Sequence, residues 1–214
     1  MCRLLYVNSK DDFSVPAYLG KFSDIAKNSK EFQGHGWGCA YFNSGNWHFY
    51  KNVKPIWEDD LSQFPASNRL IAHARSAYKD EGIVVQNNMP FYDEKNISIF
   101  NGELRGVRIK ESGRIGAEKI FNFIKRMNKG NIKEAIQRGT EIIQKKSSYI
   151  RALNMIMTDE NAAYVYSHFN EAPDYFTMHI KQNENTTIVC SEKFPNENDW
   201  TPIQNNSLME LKCF

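Results

Sequence analysis

No apolar run in this chain approaches the roughly 18 residues that a membrane-crossing helix requires. The first ten residues hold an apolar stretch too short for a secretion signal. No segment repeats and none is of low complexity. Neither sign of charge dominates: 27 Lys and Arg against 25 Asp and Glu leave a formal net charge of +2. Basic clusters such as Lys145-Lys146 are short and read as solvated helix faces, which argues against a nucleic-acid or membrane-surface partner. Cysteine is scarce, and Cys2, Cys39, Cys190 and Cys213 include no Cys-x-x-Cys pair. A zinc site is therefore not expected, nor does any spacing among His35, His48, His168 and His179 suggest another metal. The metalloprotease helix motif, the phosphate-binding glycine loop and the dinucleotide fingerprint are all missing, so no cofactor is expected. These absences fit a cytoplasmic protein whose thiols stay reduced.

What is present is ordinary globular material. The 214 residues are 41% hydrophobic and 24% charged, enough for one domain spanning 1–214 with a sizeable core. Leu4 to Val7 read as a buried strand, and Pro16 opens a helix with Leu19, Phe22 and Ile25 at helical spacing. Ser44-Gly45-Asn46 reads as a hairpin turn after Cys39 to Phe42. Arg69 to Arg75 and Ile97 to Phe100 read as strands, and on local chemistry alone Asn101-Gly102 reads as a tight turn. Two helices follow, marked by Ile120, Phe123 and Ile124 and then by Ile132, Ile136 and Ile143. Strands return over Ala152 to Thr158, Ala162 to Tyr166, Phe176 to Ile180 and Thr186 to Cys190. Strands, a helix pair, then strands again imply sheets with helices outside them. Cys39 and Cys190 sit in apolar strand segments and read as core residues.

Cys2 carries the chemistry. Trimming of Met1 would leave a free α-amine a few bonds from the thiol. An α-amine has an unperturbed pKa of about 7.7–8.0, so it can serve as general base for its own side chain.

Four segments in order resemble the class II glutamine amidotransferase domain, an N-terminal-nucleophile hydrolase. They are Met1-Cys2-Arg3-Leu4-Leu5; Gly36-Trp37-Gly38; Ile71-Ala72-His73-Ala74-Arg75-Ser76-Ala77 followed by Asn88-Met89-Pro90-Phe91; and Phe100-Asn101-Gly102-Glu103-Leu104. Cys190-Ser191-Glu192 and Trp200-Thr201-Pro202 are similar to the closing strands of the small stand-alone members.

The resemblance implies an α+β fold, a four-layer αββα sandwich of two antiparallel sheets flanked by helices. It implies that Cys2 attacks an amide carbonyl and that Asn101 and the Gly102 N–H hold the oxyanion. Ammonia then leaves, and water hydrolyses the thioester. Arg75 would bind a substrate carboxylate through its planar fork, with Trp37, Gly38, Ser76, Ala77 and Tyr78 around the substrate. The implied partners are a small glutamine-like amide and a separate ammonia-accepting protein; a homodimer is compatible with it. His73 shares a strand face with Arg75 and reads as a satisfied structural histidine, since an amine base leaves it no catalytic task.

The pattern also departs from the family. Phe100 and Met89 stand where histidines are usual, and Tyr78 stands where a glycine is common. The aspartate that normally holds the substrate ammonium, two residues before Glu118, is Gly116 here. Glu118, Glu111 and Glu103 are the candidates to replace it. Two other readings stay open: a catalytically silent binding or regulatory protein on the same fold, and, less well supported, a papain-like protease using Cys39.

Overall fold

A computed structural model describes residues 1–214. In chain order its elements are β1 (Arg3–Ser14), α1 (Val15–Lys27), β2 (Trp37–Asn43), β3 (Asn46–Asn52), β4 (Ala66–Ala74), β5 (Phe91–Tyr92) and β6 (Ile97–Arg105). Then come α2 (Gly116–Met127), α3 (Ile132–Lys146), β7 (Tyr149–Thr158), β8 (Ala162–Ser167) and α4 (Pro173–Phe176). The chain closes with β9 (His179–Gln182), β10 (Thr186–Cys190), β11 (Thr201–Pro202) and β12 (Ser207–Lys212). No helix is long and apolar enough to cross a membrane.

Two antiparallel sheets form the centre. One has seven strands in the order β11-β9-β10-β1-β4-β2-β3; the other has five, β12-β8-β7-β6-β5. Alternation along β1 explains how they stack. Leu5 and Val7 pack with Leu19, Phe22 and Ile25 of α1 and with Leu70 and Ala72 of β4. Leu4 and Tyr6, pointing the other way, join Ala40, Ile71, Ile99 and Met155 between the sheets. Ile120, Phe123 and Ile124 of α2 and Ile136 and Ile143 of α3 extend this second core over the smaller sheet. The layers are thus helix, sheet, sheet, helix pair, which is the αββα sandwich. Cys39 and Cys190 are both core residues.

Local chemistry sets several element ends. The Ser14 hydroxyl accepts from the Ala17 N–H at 3.3 Å and caps α1, with Pro16 in the first turn. Ser44 (φ 51°) and Gly45 (φ 80°) make the hairpin between β2 and β3, as their sequence suggests. Two expectations fail. Asn101-Gly102 is not a turn: β6 runs through it, with Asn101 opposite Asn154 and Gly102 opposite Leu153. Pairing with β7 overrides the turn preference of the dipeptide. Phe176 is not in a strand either. Pro173–Phe176 is one helical turn, and β9 begins only at His179.

Gly36 joins the loop after α1 to the site below. It has φ +103°, and its carbonyl accepts from the Arg75 N–H at 2.9 Å. A Cβ there would collide with the Asn88 amide and lie 2.6 Å from the Asn52 carbonyl oxygen. Gly36→Ala therefore combines positive-φ strain with a backbone clash. It is expected to cost about 2 kcal/mol or more and to lower Tm by roughly 4–8 °C in thermal unfolding. An unchanged Tm would contradict this.

Candidate active site

Cys2 lies just before β1, where Arg3 pairs with Ala74 at the end of β4. The chain leaving β4 therefore passes beside the thiol. The Ser76 N–H points at Cys2 Sγ at 3.5 Å, and the thiol faces the Ser76 carbonyl at 3.7 Å. Burial pushes the Cys2 pKa up; the nearby α-amine, the Ser76 N–H and Arg75 oppose that shift. The thiol therefore stays protonated near neutral pH.

Arg75 is 5% exposed and has no carboxylate partner. Its Nη1 donates to the Gly82 carbonyl at 2.9 Å and faces Asn88 Oδ1 at 3.4 Å. Burial pulls its pKa down, with Cys2 opposing. The buried guanidinium is thus held by neutral acceptors and its charge is left without a counter-ion.

Cys2, Arg75, Ser76, Ala77, Tyr78 and Gly102 all border one cavity of about 850 Å³. The residues brought together here lie up to a hundred positions apart in the chain, and the two-sheet stacking unites them. Asn101 is 1% exposed and is not part of the wall, although its neighbours Phe100 and Gly102 are; its Oδ1 has no partner. A Cβ at Gly102 would lie 2.6 Å from the Phe100 ring and collide with the Ala152 carbonyl, so this position requires glycine.

Trp37 and Gly38 do not join the wall. Trp37 alternates onto the α1 face, where it packs beside Tyr50 and Phe64 and donates to Asp59 Oδ2 at 2.9 Å. Gly38 lets the Met89 backbone approach closely, and Met89 Sδ accepts from the Phe100 N–H at 3.2 Å. His35 supports the loop after β4: its Nδ1 accepts from the Ala77 N–H at 2.9 Å.

Several site residues carried no sequence signal. Met1's α-amine pairs with Glu31, and its carbonyl accepts from Gln33 Nε2 at 2.5 Å and the Tyr175 hydroxyl at 2.6 Å. Arg151 reaches Glu31 at 3.2 Å and Glu103 at 3.7 Å. Isolated polar residues from α1's exit loop, β7 and α4 share no spacing that would flag them. Of the three glutamates considered for the Gly116 position, Glu103 alone borders the cavity. Glu118 pairs with Arg114 at 2.5 Å and Glu111 with Arg126 at 3.1 Å.

His73 also departs from expectation. It is fully buried, yet neither ring nitrogen makes a hydrogen bond of good geometry. Burial, reinforced by Arg75, drives its pKa down to about 3; the Phe100 backbone only partly opposes this. The unfolded histidine titrates near 6.5, so between these values the unfolded chain binds the extra proton and stability falls as pH falls. Acidification from pH 6.5 to 4 is expected to cost about 3 kcal/mol through this residue. His73→Leu should remove that share of the acid sensitivity in Tm measured against pH. An equally steep variant would refute the assignment.

No family model matches the chain, and none of the curated proteins compared matches it in sequence. Solved structures do match. The glutamine phosphoribosylpyrophosphate amidotransferase of B. subtilis superimposes with a TM-score of 0.65 at 16% identity, covering 99% of this chain and 49% of that one. This chain thus spans about half of that enzyme's length. A glutamine aminotransferase class-II domain protein from Silicibacter pomeroyi gives 0.62 at 15% identity, covering 99% of both chains. A predicted glutamine amidotransferase from Pseudomonas aeruginosa gives 0.60 at 14% identity, covering 99% and 97%. The chain has the class II glutamine amidotransferase fold. Identities this low speak for the fold, and chemistry must be argued from the site.

Proposed function

We propose that this protein is a cysteine-dependent amide hydrolase of the glutamine amidotransferase type, with Cys2 as nucleophile once Met1 is removed. The observation that carries this is the meeting of Cys2 and an unneutralised, buried Arg75 on one cavity that Gly102 also borders. Arg75 binds the substrate carboxylate and sets the distance to the side-chain amide. The freed α-amine of Cys2 takes the thiol proton as sulfur adds to the amide carbon. This answers the raised pKa of the thiol, which leaves too little thiolate without a base. The developing oxyanion is held by the Gly102 N–H and by the Asn101 side-chain N–H. The same proton then goes to departing ammonia, and water cleaves the thioester. Ammonia is released or handed to a separate acceptor protein.

The absence of a carboxylate at Gly116 and the position of Asn101 outside the cavity wall favour the second reading, a silent binding protein on this fold.

Ammonia release from glutamine and other amides, on protein whose intact mass shows Met1 removed, separates the two. Cys2→Ala is expected to abolish turnover, and Asn101→Ala to lower kcat by roughly 10²–10³-fold. Arg75→Lys should raise KM by about tenfold with a smaller change in kcat. Neither turnover nor labelling of Cys2 by a diazo-ketone glutamine analogue would decide for the silent reading. Activity with Met1 retained would remove the α-amine from its role as base.

A further inference from the structure

The cavity is matched to an anion and not to a zwitterion. Six cationic side chains border it, Arg75, Lys79, Arg105, Arg114, Lys119 and Arg151, against three carboxylates, Glu31, Glu81 and Glu103. The carboxylates are already engaged or lie in water. Glu31 pairs with Arg151 at 3.2 Å, a contact that trimming of Met1 leaves in place. Glu103 holds Arg105 at 2.5 Å and faces Arg151 at 3.7 Å. Glu81 is exposed on the rim. Arg75 lies buried with no carboxylate. The wall thus offers a cation for a substrate carboxylate and no free, sheltered carboxylate for a substrate ammonium.

The rest of the wall is apolar and roomy. Leu104, Val107, Ile109, Ile115, Ala117 and Ile120 border the cavity. Gly116, between Ile115 and Ala117, borders it too, and a Cβ there would meet nothing within 4 Å. About 850 Å³ is the size of a site for a ligand well beyond one free amino acid.

Resting on the hydrolase reading above, we infer that the substrate is a glutamine whose α-nitrogen is acylated. Two sources share that chemistry: an N-acylglutamine, or a peptide ending in glutamine. Acylation removes the ammonium charge that the wall leaves unanswered. The α-carboxylate sits on Arg75, the side-chain amide meets Cys2, and the acyl portion lies along the Leu104-to-Ile120 wall through the opening at Gly116. In the reaction the Cδ–S bond forms first, and the Cδ–N bond breaks as the tetrahedral adduct collapses to the thioester. Water then replaces sulfur, giving the acylglutamate, ammonia and free Cys2.

The test compares free glutamine, N-acetylglutamine, N-octanoylglutamine and a tripeptide ending in glutamine. Turnover is measured on Met1-trimmed protein, and binding to Cys2→Ala by calorimetry. The acylated compounds are expected to exceed free glutamine by at least about tenfold in kcat/KM and in affinity, with octanoyl above acetyl. The octanoyl compound and the tripeptide tell the two sources apart. Gly116→Asp, a side chain for which there is space and which suits a helix first turn, should shift the preference toward free glutamine by about tenfold. Turnover of free glutamine as good as that of the acylated forms overturns this inference and leaves the hydrolase reading intact. Tight binding of acylglutamines without ammonia release supports the pocket assignment and overturns the hydrolase reading. Binding of none of the four overturns the inference.

Discussion

The pairing of β1 with β4 at the centre of the seven-stranded sheet is the constraint on which the rest of the molecule depends. Register places Arg3 against Ala74, so the first residues of the chain meet the segment that leaves β4. Pleat alternation then sends Leu5 and Val7 into the α1 core and Leu4 and Tyr6 into the layer between sheets. Cys2 continues the second series. A slip of one residue would send Leu4 and Tyr6 toward α1, and the same parity would turn Cys2 away from Gly102. Register, core packing and site geometry are therefore one specification.

Electrostatics at the site follow from the same stacking. Closing one sheet over the other desolvates Cys2, His73 and Arg75 together, and each responds according to its charge. The thiol stays protonated and the imidazole stays neutral. Arg75 keeps its charge, because loss of a guanidinium proton is too costly even when burial lowers its pKa. The outcome is a neutral thiol beside a permanent cation that has no carboxylate partner. Neutral acceptors from Gly82 and Asn88 hold that cation in place without cancelling it. A carboxylate in their place would have made Arg75 structural.

Much of the architecture was legible in the sequence, because hydrophobic periodicity reports which face of each element is buried. The helices marked by Leu19, Phe22 and Ile25, by Ile120 and Phe123, and by Ile136 and Ile143 are all found. So is the Ser44-Gly45 hairpin, whose positive φ values suit those residues. The failures share a cause. Asn101-Gly102 has turn chemistry, yet a strand partner captured it. Trp37 sits in a site-like motif, yet alternation carries its ring to the opposite face. His73 was expected to be satisfied, and burial between sheets left it no hydrogen bond of good geometry.

The sequence by itself determined which residue types are at hand: a thiol at position two, an arginine at the end of an apolar strand, an asparagine–glycine pair after another apolar run, and glycine at position 116. It determined the element order as well, since periodicity is a local property. Only the tertiary structure decided which of these residues share a cavity, which carboxylates are already bound to Arg105 and Arg151, and which face of each strand looks inward. Those are relations between side chains far apart in the chain. Sheet register and layer packing settle them, because a charge is free or paired according to its neighbours in space.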